Sequence, residues 1–100
     1  MIYVGRIINK IMSAKFEEAA QRIRDESKSN PAVQGLSNEK QLELYGLFKQ
    51  GSVGDNTTAD PGMFCMPATK AKWSAWESRK GMSQEEAQAA YVELVESILA

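Results

Sequence analysis

Apolar residues along this chain recur at three- and four-residue intervals in four stretches, and none alternates with the period of two that marks a half-buried strand. The pattern predicts an all-α domain of four helices. The first is expected from about Ser13, an N-cap residue type with Glu17 and Glu18 soon after it, and presents Phe16, Ala19, Ala20 and Ile23 before fading near Ser27. Ser29 to Gly35 cannot continue it, because Pro31 lacks an amide donor and disfavours helical geometry at Asn30. A second helix starts after Ser37, with Glu39 in its first turn, and runs to about Gln50. On a helical wheel Leu44, Leu47 and Phe48 form a core arc, and Gln41, Leu42, Tyr45 and Lys49 form an adjoining mixed arc. Glu43, Gly46 and Gln50 are expected to face solvent.

Turn formers fill the chain from Gly51 to Pro67, including Gly54-Asp55-Asn56 and Asp60-Pro61-Gly62, so a long loop separates the second and third helices. The third helix is expected from about Ala68 to Lys80, closed by Gly81 in a left-handed conformation. The fourth opens on the capping box Ser83-x-x-Glu86 and carries a core stripe of Ala87, Ala90, Tyr91, Leu94 and Ile98. Upstream of all four, Val4, Ile7, Ile8, Ile11 and Met12 also fall at helical spacing, in a segment that holds Arg6, Asn9 and Lys10 and no acidic residue. That segment is too short and too polar to span a bilayer. An accessory extension is the plainer reading of it, and an amphipathic organelle presequence is the functional one. The chain therefore divides into residues 1–11, an N-terminal extension, and residues 12–100, one helical domain.

Composition narrows the chemistry. A net charge of −1 over 100 residues argues against a nucleic-acid or membrane-surface binder, so an anion site requires a local basic cluster. The chain has no histidine and a single cysteine, Cys65. Triads built on His and His-based metal sites are thereby excluded, an internal disulfide is impossible, and a reducing compartment fits. Gly51-Ser52-Val53-Gly54 matches a bare GxxG loop without the mixed sheet an RNA-binding KH domain needs, and no GK[ST] follows for a P-loop. Asp55 and Asp60 lack the acidic ladder of an EF-hand, and Asn56-Thr57-Thr58 is a glycosylation sequon.

The local basic cluster lies on the third helix, where Lys70, Lys72, Arg79 and Lys80 accompany Trp73 and Trp76. Trp76 reads as core, Trp73 as either core or ligand wall, and Lys70, Arg79 and Lys80 as solvated. Tyr45 and Lys49 are four apart, so phenol and ammonium lie one above the other and can converge on one phosphate. The spacing alone describes equally well a half-buried ring beside a lysine stem. Tyr91, on the core stripe, reads in isolation as a packing tyrosine with its hydroxyl at the surface.

The strings LELYGLFKQ, VGD, PGM, KAKWSAW, KG and EAQAAY occur in an order and at spacings that resemble the acyl-CoA-binding protein family, with a weaker match back to Phe16-Glu17-Glu18-Ala19-Ala20. The resemblance implies a four-helix bundle of up-down-down-up topology that binds long-chain acyl-CoA esters non-covalently, transports and buffers them, and is not an enzyme. It implies that Tyr45, Lys49 and Lys72 hold the 3′-phosphate of the CoA nucleotide, that Tyr91 contacts the adenine and its ribose phosphate, and that Arg24 stands at a basic position touching the nucleotide. Ala20, Gln41, Leu42 and Trp73 are the residues it places along the acyl groove. It implies no cofactor beyond the ligand, no nucleic acid, a monomer in the cytoplasm, and acyl-CoA-using enzymes or transient membrane contact as partners. Three departures stand out: Phe48 where the family often has tyrosine, Gln41 at a site more often apolar, and Phe64-Cys65-Met66-Pro67-Ala68-Thr69 in place of a segment that is one residue shorter and usually contains an aspartate. The competing reading is a helical module whose basic, Trp-bearing face binds a protein or an anionic membrane. A thioesterase using a carboxylate-activated water is a more distant one.

Overall fold

The computed structural model describes the backbone from Ile2 to Ala100 and the side chains from Ser13 onward. Its elements are α1 (Ile2–Glu26), α2 (Pro31–Gln34), α3 (Asn38–Ser52), α4 (Pro67–Glu77) and α5 (Gln84–Leu99). The class is all-α, with four substantial helices and one short one. The first helix differs from expectation at its start: α1 begins at Ile2, and Ser13 lies inside it instead of capping it. The helical spacing upstream of Ser13 and the absence of proline there let the backbone run on without a break. Whether residues 1–11 are accessory turns on side chains outside the described residues.

α2 was not expected. Pro31 ends any continuation of α1, yet at the first position of a new helix its missing N–H costs nothing. Asn30 caps that turn, its Oδ1 accepting from Ala32 N at 2.9 Å, and Val33 is thereby turned inward and buried. Ser37 and Ser83 cap α3 and α5 as expected, accepting from Lys40 N at 3.2 Å and Glu86 N at 3.1 Å. α4 starts one residue early, at Pro67, and stops at Glu77. Ser78 to Lys80 continue as tighter turns, with Arg79 N donating to Trp76 O at 2.9 Å, before Gly81 takes its left-handed φ of 93°.

The core joins α1, α3 and α5 through Phe16, Ala19, Ala20, Leu44, Leu47, Tyr91 and Val95. Phe16 and Tyr91 meet edge to face with ring centroids 5.1 Å apart, and Phe48 packs against both at 5.5 and 5.9 Å. Such aromatic contacts add about 0.5–1.5 kcal/mol per pair beyond burial. Gly46 and Gln50, expected in solvent, are both buried. The wheel could not anticipate α4 on that side: a Cβ at Gly46 would stand 2.5 Å from Ala75 O and 3.0 Å from its carbonyl carbon, so the two helices touch backbone to backbone.

Gln50 is fully buried and works as a tie. Its Nε2 donates to Asp55 Oδ1 at 2.8 Å and to Met82 O at 2.7 Å, and the same carboxylate oxygen accepts from Gly81 N at 2.9 Å. Trp76 Nε1 donates to Gly54 O at 2.8 Å and Trp73 Nε1 to Thr58 O at 3.2 Å. The long loop is thus laced to α3, α4 and the start of α5. Lys70, expected in solvent, is a further lace, with Nζ 2.6 Å from Asp60 Oδ1. Lys80 is exposed as expected and pairs at the surface with Glu77 at 3.4 Å, whereas Arg79 is half-buried with its Nε shielded. Asn56 is buried too, 2% exposed, with Oδ1 accepting from Thr58 N at 2.9 Å.

Two outcomes follow from this packing. Gly46→Ala forces α3 and α4 apart, because the obstructing atoms are backbone, and is expected to cost about 1–3 kcal/mol of stability in denaturant unfolding. Asp55 has its pKa held below the ordinary aspartate range, first by the Gly81 N–H and then by Gln50. Folding therefore favours the carboxylate. Its contribution is complete above the unfolded pKa and fades as pH falls through the depressed folded value, so Asp55→Ala should lower the melting temperature at neutral pH by more than it does in acid. A gap to wild type that stays constant down to the acid limit would contradict the assignment.

Candidate ligand groove

Two adjoining cavities meet at Tyr45. The first, about 410 Å³, lies between α1, α2, α3 and α5 and is lined by Ala20, Arg24, Val33, Gln41, Tyr45, Phe48 and Tyr91 among others. The second, about 510 Å³, lies between α3 and α4 and is lined by Asn38, Gln41, Leu42, Tyr45, Pro67, Ala68, Ala71 and Lys72. Gln41 and Tyr45 belong to both. They adjoin as a divided trough across the α3 face, with the turn from Gln41 to Tyr45 standing between them. A third cavity of about 730 Å³ adjoins the first through Ala20, Arg24 and Phe48 and opens toward Gln84 and Gln88.

One cation stands at the divide and another at the α1 end. At the divide, Lys72 of α4 places its Nζ 5.7 Å from the centroid of the Tyr45 ring. At the α1 end, Arg24 is exposed and held by Gln21, whose Oε1 accepts from Nη2 at 3.1 Å. Burial pushes the Tyr91 phenol above its ordinary pKa and the nearby Arg24 guanidinium pulls it partly back, which places that charge within electrostatic reach of the hydroxyl. At neutral pH the phenol is a donor. Tyr91 is 4% exposed and its ring is engaged by Phe16 and Phe48, so little of it is open to the groove.

The structure thus brings Ala20, Arg24, Gln41, Tyr45 and Tyr91 to the first cavity, and Gln41, Leu42, Tyr45 and Lys72 to the second. It does not bring in the other two. Lys49 lies over the Trp76 ring, 4.8 Å from its centroid, and lines neither cavity. Trp73 spends its N–H on Thr58, carries Lys70 Nζ 4.9 Å over its ring, and anchors the loop instead of walling the groove. Gln41, out of place by hydropathy, has folded its amide back to donate to Leu36 O at 2.9 Å, which leaves its methylenes to the trough. The reading of the sequence missed Val33, carried by the unexpected α2, and Ala68 and Ala71. The small side chains at those last two positions, one helical turn apart and beside Lys72, were the available signal.

No cation chemistry competes for the loop carboxylates. Asp55 is engaged by Gln50 and Gly81, Asp60 by Lys70 and Gly62, and among the described residues no three acidic or cysteine groups converge as metal ligands. Among the same residues no helix is long and apolar enough to cross a membrane.

The family model described as acyl CoA binding protein matches residues 13–95. The chain is 49% identical over 89 residues to acyl-CoA-binding protein homolog 1 of Caenorhabditis elegans, covering 89% of this chain and 95% of that one. It is 42% identical over 90 residues to the acyl-CoA-binding protein homolog of Drosophila melanogaster, covering 90% of this chain and 96% of that one. Among solved structures it superposes on the crystal structure of Oryza sativa Acyl-CoA-Binding Protein 2 with a TM-score of 0.76 at 41% identity, over 88% of this chain and 90% of that one. A family model that spans residues 13–95, together with relatives 42–49% identical over most of both chains, leaves one conclusion: this chain is a member of the acyl-CoA-binding protein family.

Proposed function

We propose that this protein binds long-chain acyl-CoA esters non-covalently, carries them and buffers their free concentration in the cytoplasm, as a monomer and without a cofactor or a catalytic step. The observation that carries the reading is the divided trough. Its α3–α4 half is walled by Leu42, Ala68, Ala71 and Pro67 and suits an acyl chain, for which each buried methylene contributes about 0.8 kcal/mol. Lys72, at the divide, and Arg24, Tyr45 and Tyr91 on the other side suit a phosphorylated nucleoside. Charge-assisted bonds to phosphate are the strongest these side chains can make.

Lys49 joins this set only if it leaves Trp76. A lysine stem four carbons long can do so, since a cation over a buried ring is held by about 2 kcal/mol and a charge-assisted bond to phosphate, at about 1.5–3 kcal/mol, can match it. Tyr91 contributes its hydroxyl. Phe48 forms the wall between Tyr45 and Tyr91 without a donor of its own.

Calorimetric titration should give tight binding of acyl-CoA and far weaker binding of the fatty acid or CoA alone, because each fills half the trough. Equal affinity for the free fatty acid would contradict the head-group role. Lys72→Ala and Lys49→Ala should each weaken binding by about 1.5–3 kcal/mol with little change in melting temperature. Both should also erase the wild-type preference for acyl-CoA over its 3′-dephospho analogue. Equal losses for the two ligands would move the phosphate site elsewhere. Removal of residues 1–11 should leave affinity nearly unchanged, and a large loss with helical content preserved would make the extension part of the groove.

A further inference from the structure

The most exposed large apolar side chains among the described residues are Phe64 at 97%, Met63 at 87% and Met66 at 72%. All three occupy one loop tip between Gly62, at a left-handed φ of 81°, and Pro67 at the start of α4. The tip is held outward. Asp60 Oδ1 accepts from Gly62 N at 2.9 Å while pairing with Lys70, and Cys65 Sγ bonds back to Gly62 O at 3.1 Å. Burying these side chains would be favourable, yet the loop's own hydrogen bonds present them to the outside.

We propose that Met63, Phe64 and Met66 are a shallow anchor for an anionic phospholipid bilayer, seating the α4 end of the trough against the membrane. Shape favours lipid over a protein. A stable protein interface needs about 800 Å² from each partner, and three side chains on a convex tip fall far short of it, whereas a bilayer requires no complementary surface. Charge points the same way. From Pro61 to Trp76 there is no acidic residue, Lys70 is matched by Asp60, and Lys72 forms no ion pair among the described residues. An apolar tip with a lysine behind it has the order of an interfacial segment, side chains in the acyl region and the cation at the headgroups. The tip is continuous with the groove, since Pro67 and Ala68 wall its second cavity. Attachment by three side chains is weak and reversible, which suits a carrier that must leave. The benefit to loading rests on the acyl-CoA reading, and the anchor itself does not.

The test uses the full chain without ligand and vesicles of phosphatidylcholine with phosphatidylserine. In co-sedimentation, the Phe64→Ser/Met66→Ser double variant should partition at least about fivefold more weakly than wild type. Its melting temperature and its affinity for acyl-CoA in lipid-free buffer should stay at wild-type values. Both proteins retain residues 1–12, so the difference isolates the loop. In a Phe64→Trp variant, lipids brominated in their acyl chains should quench fluorescence beyond the quenching of Trp73 and Trp76 in wild type. Equal partition of wild type and double variant, or no added quenching, overturns the proposal. A loss of lipid-free affinity as large as the loss of partition overturns it as well, because the tip would then cover the ligand's own chain. Failure of wild type to bind acyl-CoA in buffer would sink the carrier reading while leaving the vesicle comparison intact.

Discussion

The structure hangs on the contact between Gly46 of α3 and the Ala75 carbonyl of α4. Among the described residues α4 packs on α3 and makes no comparable contact with α1 or α5, so this close approach is what fixes its distance from the body of the molecule. One wall of the second cavity is α4 and the other is α3. Groove width, the reach of Lys72 to Tyr45, and the depth at which Trp76 buries its ring all follow from the absence of one methyl group. A backbone contact can serve this purpose because it has no rotamer with which to yield.

Around that contact the polar interior acts as a second constraint. Gln50, Asp55, Gly81 and Met82 draw the end of α3, the long loop and the start of α5 to one point. A long loop loses much conformational entropy on ordering. Here the loss is offset by bonds from Trp73, Trp76 and Lys70, side chains whose type alone suggests ligand binding. Residues with strong functional chemistry have been used to stitch a loop, and the groove proper is left mostly to small and aliphatic side chains with one cation at its divide and one at its α1 end.

What could be read in advance was what periodicity and caps encode: Ser37 and Ser83, the Leu44–Leu47 arc, the Ala87–Tyr91 stripe, and Trp76 as core. The misreadings share a physical cause. Gly46 and Gln50 look polar on a wheel because a wheel shows one helix and omits the neighbour that packs on its second side. The separate turn at Pro31 was hidden because proline stops one helix by the same property that lets it start another. Lys70 and Trp73 were misjudged through partners in a loop whose path no local rule predicts. The start of α1 went astray because an N-cap residue type is also tolerated within a helix. Of the residues assigned to the groove from the family resemblance, Ala20, Arg24, Gln41, Leu42, Tyr45, Lys72 and Tyr91 line one or both cavities; Lys49 and Trp73 line neither.

The buried Asn56 carries one more consequence. Its amide sits inside the loop with Oδ1 committed to Thr58, in a sequon that reads as a sugar acceptor. A glycan could be attached only to a chain that had not yet closed this loop, and once attached it would bar the closure. Passage through a glycosylating lumen would thus pit the transferase against the folding reaction, with molecules modified first left unable to lace the loop to α3. The sequon records a compartmental incompatibility: in this fold the one residue that would carry the sugar is the one with no room for it.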